Sequence, residues 1–151
     1  MTTTTKAIYF DMDGTIADLY GVEGWLDDLR NFSVRPYLEA SALISLSQLA
    51  RRLNRLQRCG YVIGIVSWSS MDATAEYDHA VTMAKLRWLI KHMPSVEWDE
   101  IHITPYGVPK STAVNHPMGI LFDDNSNVRE EWKGTAFDVN DILQILKELE
   151  G

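Results

Sequence analysis

Strand-like and helix-like stretches alternate along the chain. That order predicts an α/β fold with a central, mainly parallel sheet and helices on both sides. Three observations carry the prediction. The strand candidates at 7–10, 61–66 and 119–122 are apolar without polar alternation, as expected where both faces of a strand are covered. The stretches between them, above all 40–58 and 73–92, repeat apolar residues at helical spacing. Finally, the strands stop abruptly at polar residues: the first at Asp11 and Asp13, the second at Ser67, the fourth at Asp123 and Asp124. Parallel strands deliver such ends to one edge of the sheet, where open α/β sheets bind ligands.

The first strand runs straight into Asp11-Met12-Asp13-Gly14-Thr15. Alternate residues of an extended backbone face opposite ways. Asp11 and Asp13 therefore reach one point only if the chain turns between them, and Gly14 makes that turn cheap. Asp11 then serves as a nucleophile or metal ligand, and Asp13 offers a carbonyl to a metal and a carboxyl to a proton. Taken alone, the same residues suit a simple strand-to-loop turn held by aspartate side chains.

Residues 16–38 are acidic and punctuated by Gly21, Gly24 and Pro36. They predict a turn, a short helix near 23–31 and a loop, together a flap over the strand end. Tyr20 or Trp25 faces a substrate there, or these aromatics only pack the flap onto the domain. The helix at 40–58 puts Leu46, Leu49, Leu53 and Leu56 on one stripe, with Arg51, Arg52, Arg55 and Arg58 mostly off it as a solvated face. Gly60 stops it, and Cys59 just before has a structural role.

The second strand ends in Ser67-Trp68-Ser69-Ser70. A helix over 73–92 follows, striped by Tyr77, Val81, Ala84 and Trp88, with Pro94 beyond its end. His79 and His92 lack the spacing of two metal ligands on one turn. A short third strand at 101–103 leads to a loop carrying Lys110, which opens a short helix at 110–114. The fourth strand precedes a short helix near 127–132, a small strand at 135–137 and a final helix at 140–149. Asp138 or Asn140 caps that helix, and Ile142, Leu146 and Leu149 point inward.

The length of 151 residues suits one domain, 1–151, with 16–38 as its flap. Hydrophobic residues make up 46%, enough for a core and against disorder. The net charge of −7 argues against a general nucleic-acid or anionic-membrane binder, which needs a basic face. A single cysteine excludes an internal disulfide and a cysteine-based metal cluster. The threonine-rich start has no apolar core of a signal peptide, and no run approaches the roughly 18 residues of a membrane span. The expected setting is the cytoplasm.

Gathered at one sheet edge, the acid pair, hydroxyl, lysine and second acid pair compose a phosphoryl-transfer site. Crowded carboxylates repel one another, a cation relieves that, and all-oxygen ligands suit Mg²⁺. Lys110 neutralises what is left, and the Ser67 hydroxyl donates to an anionic oxygen. Four motifs in this order resemble those of the haloacid dehalogenase-like hydrolase superfamily: D-M-D-G-T at 11–15, I-V-S at 65–67, V-P-K-S at 108–111 and F-D-D-N at 122–125. The resemblance runs from about residue 6 to 149. It implies a three-layer α/β/α sandwich with the first strand central.

Carried over motif by motif, the resemblance makes Asp11 the nucleophile that becomes an aspartyl phosphate. Asp13 protonates the leaving oxygen and then deprotonates the attacking water. Thr15 and Ser67 bond the phosphoryl oxygens, and Lys110 stabilises their charge. Asp11, the Asp13 carbonyl and the acidic pair hold Mg²⁺, with Asp124 favoured as direct ligand and Asp123 the second candidate. Many relatives carry a further acid about four residues on; here Val128 stands in that place, leaving Asn127 or Glu130 to act through water.

An aspartate at 13 favours a phosphatase or nucleotidase over a dehalogenase or an ion pump. The gaps at 16–60 and 70–108 hold no large cap. The site is therefore open to a bulky substrate, or covered by a neighbouring subunit of a homo-oligomer. The aromatic flap is similar to that of the small deoxyribonucleotidase group, where aromatics contact a base; Trp25 and Trp68 are the candidates here. The expected function is a Mg²⁺-dependent phosphomonoesterase acting on a small phosphorylated substrate, with nucleoside monophosphates the favoured class. Two alternatives are a nucleic-acid end phosphatase, opposed by the net charge, and a catalytically silent binding domain, opposed by the complete polar set.

Overall fold

The computed structural model describes residues 5–151. Residues 1–4, Met1 and the first three threonines of the run, lie outside the described residues, and so does much of the stretch on which the expectation about a signal peptide rests. The chain forms β1 (Ala7–Phe10), β2 (Ala17–Asp18), α1 (Trp25–Arg30), α2 (Arg35–Glu39), β3 (Ser41–Ala42), α3 (Leu46–Arg58), β4 (Val62–Trp68) and α4 (Ala75–His92). It continues through β5 (Glu100–Thr104), β6 (Ile120–Phe122), α5 (Ser126–Glu131), β7 (Thr135–Phe137) and α6 (Ile142–Leu149). Five strands make one parallel sheet in the order β5-β4-β1-β6-β7. The first strand is central, as expected.

Alternation along the buried strands divides the core. Ile8 and Phe10 of β1, Ile63 and Ile65 of β4 and Phe122 of β6 pack with Leu49, Leu53 and Leu56 of α3, Trp88 of α4, and Ile142 and Leu146 of α6. Ala7, Tyr9, Val66 and Leu121 face the other way, against Val114, Val128 and Trp132. The connections after β1 and β4 thus cross one face, and the helix after β6 lies on the other. The chain changes direction between β1 and β6, and at such a switch point the crossing segments part to leave a crevice. Among the described residues no helix is long and apolar enough to cross a membrane.

Several boundaries differ from expectation. The helix placed at 40–58 begins at Leu46, because the Ser45 hydroxyl accepts from the Gln48 N–H and caps it. Residues 41–42 instead form β3, antiparallel to β2, which ties the flap's two ends together. The flap holds a second helix, α2, with Pro36 in its first turn, where a missing N–H costs nothing. Strand β4 runs two residues past 66, so Ser67 and Trp68 are strand residues paired with Ile103 and Thr104. Lys110–Thr112 is a single 3₁₀ turn rather than a helix to 114. Neither Asp138 nor Asn140 caps the final helix: Asp138 accepts from the Val139 N–H at 2.7 Å and caps a 3₁₀ turn, and α6 follows it with Asp141 at its N-cap and no side-chain cap bond.

One polar network pins β1 to β5 across the glycine of β4. A Cβ on Gly64 would sit 2.7 Å from the Tyr9 ring, so only glycine lets the ring lie there. The Tyr9 hydroxyl then donates to Glu100 at 2.7 Å, and the Asn115 N–H and the His102 ring also bond Glu100. Burial pushes the Glu100 carboxyl up, but these hydrogen bonds together outweigh it and hold the pKa below its ordinary value. A depressed carboxylate stabilises the fold above its unfolded pKa of 4.5 and loses that contribution as pH falls through the folded value. Glu100→Gln is therefore expected to lose on the order of 1–3 kcal/mol at neutral pH. In urea melts the gap from wild type should narrow steadily in the acid range, and a gap independent of pH would contradict this account.

Candidate active site

The site begins where β1 ends. The Asp11 N–H still pairs with the Phe122 carbonyl at 3.0 Å, as a strand residue does. The chain then folds around Met12, whose carbonyl accepts from the N–H groups of Thr15, Ile16 and Ala17 while its side chain sinks into the core. Gly14 takes φ +80, a conformation other residues rarely adopt. A Cβ there would also lie 2.2 Å from Asp124 Oδ2. This glycine thus both turns the chain and lets the second acid pair approach the first. The turn anticipated between Asp11 and Asp13 is present.

Asp11 is 7% exposed and fully engaged. Its Oδ1 accepts from Ser67 Oγ and Lys110 Nζ, each at 3.1 Å, and its Oδ2 from Thr15 Oγ1 at 3.3 Å. Lys110 also donates to Asp123 Oδ2 at 2.6 Å. The other Asp123 oxygen accepts from the Asn125 N–H at 2.9 Å. Burial alone lowers the pKa of Lys110, but the carboxylates of Asp11 and Asp123 more than reverse that, so the ammonium stays charged. Asp11, Asp123 and Asp124 bring carboxylate oxygens within 4.8 Å of one another. The crowding shows in their acidity. Lost hydration first, then Asp11, push Asp123 up to about 6. Asp124, although it reaches solvent, is pushed to about 7 by lost hydration, Asp11 and Asp123.

Asp13 points to the same crevice from the far side of the turn. Burial raises its pKa above the ordinary value, Asp11 adds to that, and Lys85 and Lys110 oppose it. Lys85 was not anticipated from the sequence. It comes from α4, is 1% exposed, and donates to Asp13 Oδ2 at 2.8 Å, Ser67 Oγ at 2.8 Å and the Trp68 carbonyl at 2.6 Å. Its signal was readable: position 85 falls four residues after Val81 and three before Trp88, on the buried stripe of α4, where an unpaired lysine is not tolerated.

The strand-end carboxylates open into a cavity of about 570 Å³ lined by Tyr20, Trp25, Arg30, Phe32, Trp68 and Tyr106 among others. Tyr20 and Trp25 meet edge to face at 5.0 Å. The Tyr20 hydroxyl is held above its usual pKa by burial and by Asp13, Asp124 and Asp11, which places the flap beside the carboxylates. Trp68 is fixed, its Nε1 donating to the Val108 carbonyl at 2.7 Å, its ring 4.8 Å from Tyr106 and under Lys110 Nζ at 5.3 Å. Val128, in the place of the absent further acid, is a buried core residue, and Asn127 and Glu130 are exposed beside it.

No family model matches this chain, and no curated protein does either. Among solved structures it is similar to the crystal structure of a D,D-heptose 1,7-bisphosphate phosphatase from Burkholderia thailandensis, at a TM-score of 0.61 and 13% sequence identity. The match covers 95% of this chain and 97% of that one. At such low identity the likeness speaks for architecture: the chain has the three-layer α/β fold of the haloacid dehalogenase-like hydrolases that its four motifs resemble.

Proposed function

We propose that the protein is a phosphatase, a Mg²⁺-dependent phosphomonoesterase working through an aspartyl phosphate, with nucleoside monophosphates as its substrate class. The observation that carries the reading is the engagement of Asp11. A lysine and two hydroxyls converge on this one carboxylate, and a second carboxyl of raised pKa lies two residues away. The fold and the solved neighbour named above support the same reaction class.

In the first half-reaction an Asp11 oxygen attacks phosphorus and the ester P–O bond breaks. Asp13 gives its proton to the departing oxygen, and the upward push of burial and of Asp11 on its pKa favours that role. In the second, the Asp13 carboxylate takes a proton from water, whose oxygen attacks the same phosphorus. Asp11 leaves as a carboxylate and Asp13 is again an acid. Ser67, Thr15 and Lys110 already point their donors at Asp11, so the transferred group is met by donors that need not reorganise.

The donor set also suits the metal. When all four are ionised, Asp11, Asp13, Asp123 and Asp124 meet, among the described residues, Lys85 and Lys110 as their cations, which leaves two negative charges uncompensated. Mg²⁺ bound there supplies the missing charge and screens the phosphoryl oxygens. Asp11, the Asp13 carbonyl and Asp124 are its proposed ligands. Both Asp123 oxygens already hold donors, which supports Asp124 over Asp123 as the direct ligand.

The nucleotide part of the reading rests on the cavity. Its volume is that of a small-molecule site, and its walls are aromatic. Tyr20, Trp25 and Phe32 offer rings to a base, while the ring of Trp68 is already taken up by Lys110 and Tyr106. Arg30 stands at the rim for a further polar contact.

Hydrolysis of an aryl phosphate and of deoxynucleoside monophosphates should require Mg²⁺ and be abolished by EDTA. Asp11→Asn should remove it, and Asp13→Asn should lower kcat by roughly 10²–10⁴-fold. Turnover surviving in EDTA or in Asp11→Asn would refute the mechanism. Mg²⁺ at about a hundredfold above its Kd should stabilise the protein by about 2.7 kcal/mol in thermal melts. Asp124→Asn is expected to erase that shift, and a full shift in this variant would return the ligand to Asp123. Stacking of a base on an aromatic side chain contributes about 1–3 kcal/mol. Trp25→Ala should accordingly raise KM for a deoxynucleoside monophosphate about tenfold and leave the aryl phosphate unaffected. Equal effects on both substrates would remove the base contact from the account.

A further inference from the structure

Lys85 has no part in the chemistry just described, and nothing in the four motifs calls for it. Its ammonium group lies between the end of β4 and the turn after β1, sealed by α4 behind and by α2 above. The Tyr37 ring covers it, with Nζ 5.4 Å from the ring centroid. A lysine buried this deeply is costly unless every donor is used. Here each is. Nζ carries three N–H groups and meets three acceptors: Asp13 Oδ2, Ser67 Oγ and the Trp68 carbonyl.

This arrangement dictates where the Ser67 proton goes. A serine hydroxyl has one proton and two lone pairs. Lys85 can only donate, so Ser67 must accept from it. The serine's own proton is then directed away from Lys85, and the acceptor within reach is Asp11 Oδ1 at 3.1 Å. Lys85 likewise occupies one oxygen of Asp13 and leaves the other without a protein donor among the described residues. Without the lysine the Ser67 hydroxyl is free to rotate and to donate to the Trp68 or Asp13 side instead.

We propose that Lys85 is a positioning residue that holds the Ser67 hydroxyl as a donor toward Asp11 and its transferred phosphoryl group, and fixes which Asp13 oxygen is presented to the leaving group. The inference rests on the phosphomonoesterase reading and adds to it a residue that touches neither substrate nor phosphorus.

The test uses the full chain with an aryl phosphate and saturating Mg²⁺. Lys85→Met keeps length and removes all three donors. It should lower kcat roughly 10- to 100-fold while KM changes less than about threefold, a smaller loss than removing the acid itself. Lys85→Gln, which keeps N–H donors without charge, should recover part of that loss. Ser67→Ala combined with Lys85→Met should be less than additive, because the lysine acts partly through the serine. A folded Lys85→Met with wild-type kcat overturns the proposal alone. A wild-type chain without Mg²⁺- and Asp11-dependent turnover overturns the phosphomonoesterase reading and this proposal with it.

Should Lys85 variants fail to fold, lysine-¹⁵N NMR of the wild-type backbone gives an independent readout. A buried, fully bonded ammonium exchanges its protons slowly and shows a persistent signal. Ser67→Ala removes one acceptor and should shift that signal and speed its exchange. An unchanged signal in Ser67→Ala overturns the proposal.

Discussion

Like charges crowded at one sheet edge are the constraint from which the rest of this molecule follows. Four carboxylates converge at the ends of β1 and β6, and among the described residues two lysines reach them, both buried. The two lysines divide the work. Lys110 bridges Asp11 and Asp123, donating to both carboxylates. Lys85 ties Asp13 to Ser67 on the opposite flank. The most solvent-reaching member, Asp124, is pushed up by lost hydration first and then by Asp11 and Asp123, and among the described residues no lysine donates to it. A divalent cation is the natural complement of such a site, and a neutral pocket would have no use for one.

The parallel sheet makes this crowding possible. Register places Phe10 beside Phe122, so the residues that follow, Asp11 and Asp123, leave the sheet at the same level. The two segments then part to opposite faces, and the crevice between them is lined by acids rather than by a helix. Gly14 completes the approach, since any side chain there would strike Asp124. Met12 anchors the turn from below with its side chain in the core and its carbonyl taken by three N–H groups. The acids are thus held on rigid backbone, which suits a site that must not rearrange as charge develops.

Much of this was legible in the sequence because it is local. Unbroken apolar strands, the stripe of α3, the glycine after Asp13 and the acids at strand ends are all patterns a few residues long. What escaped notice depends on distant partners. Lys85 is 72 residues from Asp13, and its place on the α4 stripe becomes informative only once a buried acceptor set is known. The pairing of Tyr9 with Glu100 needs Gly64 between them, three strands that no local pattern aligns. The flap's second helix, α2, spans five residues, too few for a helical stripe to show in the sequence. Only Pro36 in the first turn of α2 hinted at a second start. The surroundings of Trp25 and Trp68 diverge for the same reason: one ring meets its flap neighbour Tyr20 edge to face, and the other is fixed by a carbonyl 40 residues away.

The flap and the turn after β1 share a support in α4. Tyr77, Val81 and Ala84 of α4 pack against Leu19 and Tyr37 of the flap. The Tyr77 hydroxyl donates to the Ser33 carbonyl at 2.6 Å, and its ring meets Phe32 edge to face. Arg35 then staples the flap to itself, bonding Asp28, Glu39 and the Glu23 carbonyl. One residue after Ala84 on the same helix, Lys85 grips Asp13 and Ser67. One helix, α4, thus contacts both the aromatic wall and the Asp13–Ser67 pair. Under the proposed phosphatase reading, that common mounting is a physical route by which the wall facing the substrate keeps register with the groups facing its phosphate.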